Sequence, residues 1–333
     1  MNCYKTLNKQ EFQYKDYSLV PIRFDDRFLI MKWRNEQIYH LRQNSPLTKE
    51  QQDSYFNEVI SQLYSDNQPG QLLFSFLHKG ICIGYGGLVH INWVDKHAEI
   101  SFIMDTQLEP LSFVELWCIY LKLIEEVAFN ELVFHKIFTY AYDLRPQLYK
   151  ALNKSNFKKE ATLTDHCFFE GRFIDVIIHS KIDSFKLRKA NQSDLETTFN
   201  WANSPITRRY SFHKEQISKE SHTTWFTEKI NNPKVIYLIL ENVINTPLGS
   251  IRLDFNEDTA IISYLISPLY QGRGLGNVIV YLAEEYIKKN KIPVQKLIGF
   301  VFKENLASIR IFEKLNYTRN DQEEQLKYEK FIP

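Results

Sequence analysis

Residues 271–276 read QGRGLG and place Gly272, Gly274 and Gly276, three of the chain's eleven glycines, within five positions. The hexapeptide lies between the strand-like AIISYLIS (260–267) and VIVYLAEEYIKKNK (278–291), where Val278, Leu282, Tyr286 and Ile287 recur at helical spacing. Glycines let successive backbone N–H groups converge with no Cβ in the way, and the following helix adds its positive end. The chemistry this suits is anion binding, phosphate above all; the plainer reading is a tight strand-to-helix turn. No Lys-Ser/Thr pair follows, so the segment is not a P-loop, and its G-x-G-x-G spacing does not complete the dinucleotide fingerprint. A second stretch, RRYSFHKEQISKESHTTWF (208–226), sets His222 and Trp225 three residues apart, on one face of a helix. An unperturbed imidazole, with a pKa of about 6.5, could accept a proton near neutrality, or His222 could simply pack beneath the first helices. The four cysteines, Cys3, Cys82, Cys118 and Cys167, form no CxxC pair and all lie in the first half. They read as reduced thiols and not as disulfides or a zinc site, and they leave the second half without a thiol nucleophile.

The elements that must hold these residues occur twice. LVPIRFDDRFLIMKWRN (19–35) lies over LRKANQSDLETTFNWAN (187–203) and matches Leu19 to Leu187, Asp26 to Asp194, Trp33 to Trp201 and Asn35 to Asn203. TKEQQDSYFNE (48–58) matches SKESHTTWFTE (218–228), and later features keep their order. A repeat of this length is a duplicated domain. Each copy reads as a strand, two helices, three antiparallel strands, a loop, a long helix, a strand, a short helix and final strands. The boundary falls near HSKIDSF (179–185), giving domains 1–182 and 183–333. The glycine loop is not repeated: TQLEPLSFVELW (106–117) puts Glu109, Pro110, Ser112 and Val114 where Gln271, Gly272, Gly274 and Gly276 stand. Proline lacks a donor N–H and a carboxylate repels phosphate, so the first copy is expected to bind no anion by this route.

With 333 residues, 44% of them apolar, the chain has ample material for two packed cores. Its net charge of +1, shared as −2 before residue 183 and +3 after, lacks the basic excess of a nucleic-acid binder. Neither a leader-like apolar segment nor a run of about 18 apolar residues is present, so a cytoplasmic location without membrane contact is expected.

ISYLISPLYQGRGLGNVIVYLAEEYI (262–287), followed by VFKENLASIRIFEKLNY (301–317), closely resembles the cofactor segment and downstream Asn-containing helix of GNAT-fold N-acetyltransferases. The resemblance implies an α/β fold with mixed sheets in two tandem GNAT domains, acetyl-CoA as co-substrate and no metal. It implies strand contacts from Leu265 and Ile266, a pyrophosphate loop of Gln271, Gly272, Arg273, Gly274, Leu275 and Gly276, and Asn305 beside the thioester arm. Phe312 stands where many relatives carry a tyrosine acid and is read as an aromatic packing on the cofactor, leaving Tyr264, Ser308 or a water to protonate the leaving thiolate. ISKESHTTWF (217–226) looks like a segment of acetyltransferases that act on 4-amino sugar nucleotides, the pseudaminic-acid-pathway type. By position it implies a small-molecule acceptor pocket of Arg209, Tyr210, Ser211, Phe212, His222 and Trp225, with His222 as a candidate base. The end of the first copy (155–181) resembles the ribosomal-protein-type branch, which makes that copy a degenerate GNAT domain. A protein amine as acceptor, or a noncatalytic acetyl-CoA-binding assembly role, are the alternatives.

Overall fold

The protein is described from a computed structural model, which covers residues 3–41, 43–211, 214–323 and 325–332. The chain divides into two units, Met1–Asp183 and Ser184–Pro333. In the first, strands β1 (Phe12–Tyr14), β2 (Tyr17–Pro21), β3 (Leu72–His78), β4 (Ile81–Asn92), β5 (His97–Met104), β6 (Lys136–Tyr142), β7 (Lys158–Phe169) and β8 (Arg172–Ile182) form one sheet. Their order is β1-β2-β3-β4-β5-β6-β8-β7, and among the described residues only β5 and β6 pair in parallel. Helices α1 (Arg27–Glu36), α2 (Lys49–Ser54) and α3 (Ser61–Leu63) connect β2 to β3; α4 (Glu109–Glu125) and α5 (Pro146–Lys154) flank β6 in sequence. Close approach explains Gly86 and Gly87 in β4: a Cβ on either would lie about 2 Å from a backbone oxygen of the neighbouring strand.

The second unit repeats the plan. Strands β9 (Lys186–Lys189), β10 (Val235–Glu241), β11 (Pro247–Asn256), β12 (Thr259–Ile266), β13 (Lys296–Phe302), β14 (Thr318–Asp321) and β15 (Gln325–Phe331) lie in the order β14-β15-β13-β12-β11-β10-β9. Helices α6 (Leu195–Ala202), α7 (Pro205–Arg208) and α8 (Lys219–Asn231) precede β10, while α9 (Leu275–Lys289) and α10 (Leu306–Lys314) follow β12 and β13. One face of the sheet supplies Leu238, Ile251, Leu253, Ile262 and Leu297 to a core completed by Ile279, Val280, Ala283 and Ile287 of α9 and Phe312 of α10. These positions follow the two-residue and 3.6-residue periods of strand and helix.

The two copies also share interior polar contacts. Lys181 on β8 meets Glu125 of α4 at 2.8 Å and the Ser155 carbonyl; Lys330 on β15 meets Glu284 of α9 at 2.6 Å and the Leu315 carbonyl. Each lysine ties the last strand to the long helix and satisfies a carbonyl just past the C-terminus of the short helix. Asn35 and Asn203 each clamp the backbone at both N–H and C=O of a residue before the next helix, Leu47 and Ile217. Among the described residues no helix is long and apolar enough to cross a membrane.

Candidate active site

The parallel pairing in the second unit stops early. Thr259–Ile262 of β12 pair with Lys296–Gly299 of β13, after which β12 runs on to Ile266 and β13 to Phe302 without pairing to each other. The strands splay and leave one backbone edge of β12 open. Alternation along the β11–β12 ladder decides which residues use it. Ser267 N–H donates to the Leu248 carbonyl, so Leu265 and Ser263 turn their backbone groups to β11, while Tyr264 and Ile266 turn theirs to the opening. The open-edge residues are therefore Tyr264 and Ile266, which corrects the assignment of Leu265 from sequence.

The loop follows at the end of that edge. Gly272 and Gly274 have φ of +77° and +79°, a left-handed backbone that glycine adopts without strain, and neither has any atom within 4 Å of where a Cβ would lie. Gly274 is the N-cap of α9 and supplies no side-chain cap, so the first N–H groups of the helix are available to an outside acceptor. Gln271 Nε2 donates to the Ile266 carbonyl at 3.2 Å and fixes the entry to the loop. Arg273 is exposed and lies over the Tyr270 ring. Gly276 is buried where α9 meets α10, and a Cβ there would come within 2.3 Å of Ile311 Cδ1, the end of a flexible side chain that would have to turn aside. Leu275 is buried in the core and can offer only its backbone. An open cradle at a helix N-terminus beside an open strand edge fits a ligand that joins a pyrophosphate to an amide-bearing arm, as acetyl-CoA does.

Between edge and loop stand two hydroxyls. Tyr264 Oη and Ser308 Oγ are 2.7 Å apart, linking β12 to α10. Burial pushes the Tyr264 phenol up to about 12, against the hydrogen bond from Ser308, which lowers it. Asn305 is the N-cap of α10, its Oδ1 accepting from Ser308 N–H at 3.1 Å. Cap and hydroxyl are thereby fixed together.

The structure moves two expected residues out of the site. Phe312 is 2% exposed; its ring stacks on Tyr328 at 5.2 Å, with Tyr317 alongside at 5.0 Å, and fills the space above Gly299. It is a core residue and presents no face to a cofactor. His222 is 3% exposed and lies among Phe199, Trp225 and Phe226, with Nε2 3.2 Å from Thr198 Oγ1. Burial lowers its pKa, and it joins α8 to α6 as a packing residue, so the role of acceptor-pocket base does not stand. Helical spacing shows which residues share its face, and the buried side is that face.

Of the remaining acceptor residues, Arg209 and Tyr210 are exposed and paired with each other, guanidinium to ring centroid 5.4 Å. Ser211 Oγ is engaged by Arg208 and the Thr207 carbonyl. Trp225 is half-buried, with Tyr237 and Arg252 against its ring. Phe212 lies outside the described residues. Sequence reasoning missed Arg252, which has no motif around it.

The matching region of the first unit is built differently. There β5 and β6 pair over His97–Glu99 and Lys136–Phe138 and then diverge. The connection to α4 has no left-handed residue, and the helix starts at Glu109. Arg145 stands at the N-cap position of α5, as Asn305 does on α10, but without a side-chain cap bond; it is buried, forms an ion pair with the half-buried Glu109 and lies 4.6 Å from the Phe113 ring. Its Nη1 is 2.7 Å from His40 Nε2, and burial beside this guanidinium lowers the His40 pKa to about 3. The pair joins the chain segments that leave the two diverging strands. Glu109, expected from the sequence to repel phosphate, is paired here with Arg145.

An acetyltransferase (GNAT) domain model matches residues 185–318, and a second acetyltransferase (GNAT) domain model matches 19–178. An uncharacterized protein of Methanocaldococcus jannaschii is 27% identical over 148 residues, 43% of this chain, which spans 30% of that relative's length. Similar solved structures include a domain from the same organism (23% identity, TM-score 0.41, covering 45% of this chain and 99% of that one). Another is the spermidine N-acetyltransferase of Vibrio cholerae with CoA and spermine (17%, TM-score 0.42, 44% and 95%). Two matched domains, each a mixed sheet whose parallel pair splays, make this chain a member of the GNAT acetyltransferase family with two GNAT domains in tandem.

Proposed function

We propose that the second domain carries the activity, moving an acetyl group from acetyl-CoA to a primary amine of a small polar acceptor, and that the first domain binds no acetyl-CoA. The observation that carries this is the asymmetry of the two splays. One is followed by left-handed glycines at an uncapped helix N-terminus, the other by a helix locked through Glu109 and Arg145. The loop would hold the pyrophosphate, and Tyr264 and Ile266 the arm. The amine attacks the thioester carbonyl, the C–N bond forms, the C–S bond breaks, and the proton balance closes when the amine loses one proton and the thiolate gains one. On this reading Tyr264 gives that proton, supported by its hydrogen bond with Ser308 and by the burial that keeps the phenol protonated. Holding both reactants in line supplies the larger share of the acceleration.

For the acceptor we propose a 4-amino sugar nucleotide. Support comes from the likeness of 217–226 to that class and from the exposed Arg209 and Tyr210 on the preceding segment. The test is a calorimetric titration of the purified chain with acetyl-CoA, then a CoA-release assay over amino sugar nucleotides and simple amines. One site per chain and turnover with a sugar nucleotide are expected. Two sites would refute the asymmetry, and one site without turnover across the panel would point to a noncatalytic cofactor-binding role.

A further inference from the structure

The sheet face turned away from α9 and α10 carries charges that the chemistry above does not use. Tyr237, Arg252 and Ser263 are cross-strand partners there, one residue out of phase with the core positions Leu238, Ile251 and Ile262. Arg252 Nε donates to Asp254 Oδ2 at 2.6 Å, its Nη2 is 3.4 Å from Ser263 Oγ, and its guanidinium lies 5.1 Å from the Trp225 ring centroid. Lys229 of α8 donates to the other Asp254 oxygen at 2.8 Å. One carboxylate thus faces two cations, and a positive charge is left over. Farther along the same face Glu329 is held by Lys327 at 2.8 Å and Lys296 at 3.7 Å, again two cations to one carboxylate.

Position gives this cluster its meaning. Ser263 is exposed and is the first residue of β12 beyond its pairing with β13. Arg252 therefore stands one strand from the splay and reaches Ser263 at its start, on the sheet face opposite the Tyr264 and Ser308 hydroxyls. Its Nη1 makes no hydrogen bond among the described residues, and the planar fork of arginine matches a phosphate or carboxylate better than any other side chain. We infer that Arg252 is the specificity-determining residue of an anion subsite: the acceptor carries a phosphate or carboxylate in addition to its reacting amine, with Trp225 as the wall against which the guanidinium is held. This rests on the second domain being the catalytic one.

The test uses the full chain and three matched amines, ethanolamine, phosphoethanolamine and β-alanine, with spermidine as a cationic control. Each is titrated by calorimetry with and without CoA and assayed for CoA release from acetyl-CoA, in wild type, Arg252→Gln and Arg252→Lys. The anionic amines should bind at least tenfold more tightly than ethanolamine. Arg252→Gln should weaken them about 10- to 100-fold, the range of one hydrogen bond to a charged group, and erase their advantage. Arg252→Lys should retain part of it, and acetyl-CoA affinity should stay within twofold. A phosphate source is told from a carboxylate source by which of the two anionic amines binds more tightly. Equal binding of ethanolamine and both anions, a preference for spermidine, or an equal effect of Arg252→Gln on neutral and anionic amines would overturn the inference. The acetyl-CoA titration reports separately on the catalytic reading, since amine binding is measured without turnover.

Discussion

Replacing Gly274 with glutamate sets a new carboxylate at the N-terminus of α9, where the pyrophosphate is expected. No neighbour lies within 4 Å of the added Cβ, so the substitution meets no packing obstacle in the free protein. Two effects remain. At φ +79° a residue with a Cβ is strained by about 1–2 kcal/mol. That strain lowers stability in free and bound states alike and changes affinity little. The second effect is electrostatic: at about 6 Å and an effective dielectric of about 20, a carboxylate opposes each unit of phosphate charge by roughly 3 kcal/mol. A factor of about 100 or more in Kd follows. Gly274→Ala isolates the first effect and Gly274→Glu adds the second, so calorimetry with acetyl-CoA and a thermal melt of each variant separate them. Both variants should melt a few degrees lower, and only the glutamate should lose binding by two orders of magnitude. A Kd for Gly274→Glu within threefold of that for Gly274→Ala would place the pyrophosphate elsewhere and refute the loop assignment.

Tyr264→Phe should lower kcat about 10- to 100-fold with acetyl-CoA affinity within threefold, and because burial holds the phenol near 12, no loss of rate from its ionisation should appear below about pH 11; a pH–rate profile checks both. His222→Leu should leave KM and kcat per folded molecule within about threefold, a result that a catalytic imidazole would not allow. Arg145→Met leaves the half-buried Glu109 without its partner and should destabilise the first domain by about 1–3 kcal/mol in denaturant unfolding, with much of that recovered in the Glu109→Gln/Arg145→Met double variant. The His40 pKa is depressed in the folded state, so its contribution is complete above the unfolded value of about 6.5 and is lost as pH falls toward 3; acid unfolding of the first domain should move to lower pH in His40→Gln, measured by tryptophan fluorescence.

What the sequence discloses about this protein is what is local. The glycine loop could be read because its conformational demand and the helix that follows are encoded within a few residues, and the duplication could be read because it preserves Asp26 and Asp194, or Trp33 and Trp201, at fixed offsets. The role of His222 was not legible: periodicity groups it with Trp225, but only the fold reveals that Thr198, Phe199 and Phe226 enclose it. Leu265 was misassigned for a related reason. Which backbone groups meet the open edge depends on the phase of the β11–β12 ladder, and a one-residue step in phase exchanges Leu265 for Tyr264. Glu109 and Arg145 are 36 residues apart in sequence and pair only across the diverging strands, so the first domain revealed its lost glycines but not its new clamp.

That clamp changes how the two halves of one chain respond to metabolite supply. A domain that binds acetyl-CoA only when folded is stabilised by RT ln(1 + [L]/Kd), about 2.7 kcal/mol when the ligand is a hundred times above its Kd. On the proposed reading the second domain gains this protection when acetyl-CoA is plentiful and forfeits it when the pool falls. On the same reading the first domain binds no acetyl-CoA, and its Glu109–Arg145 pair is in place whatever the level of that metabolite. On that reading a fall in acetyl-CoA lowers the stability of the C-terminal half and leaves that of the N-terminal half unchanged.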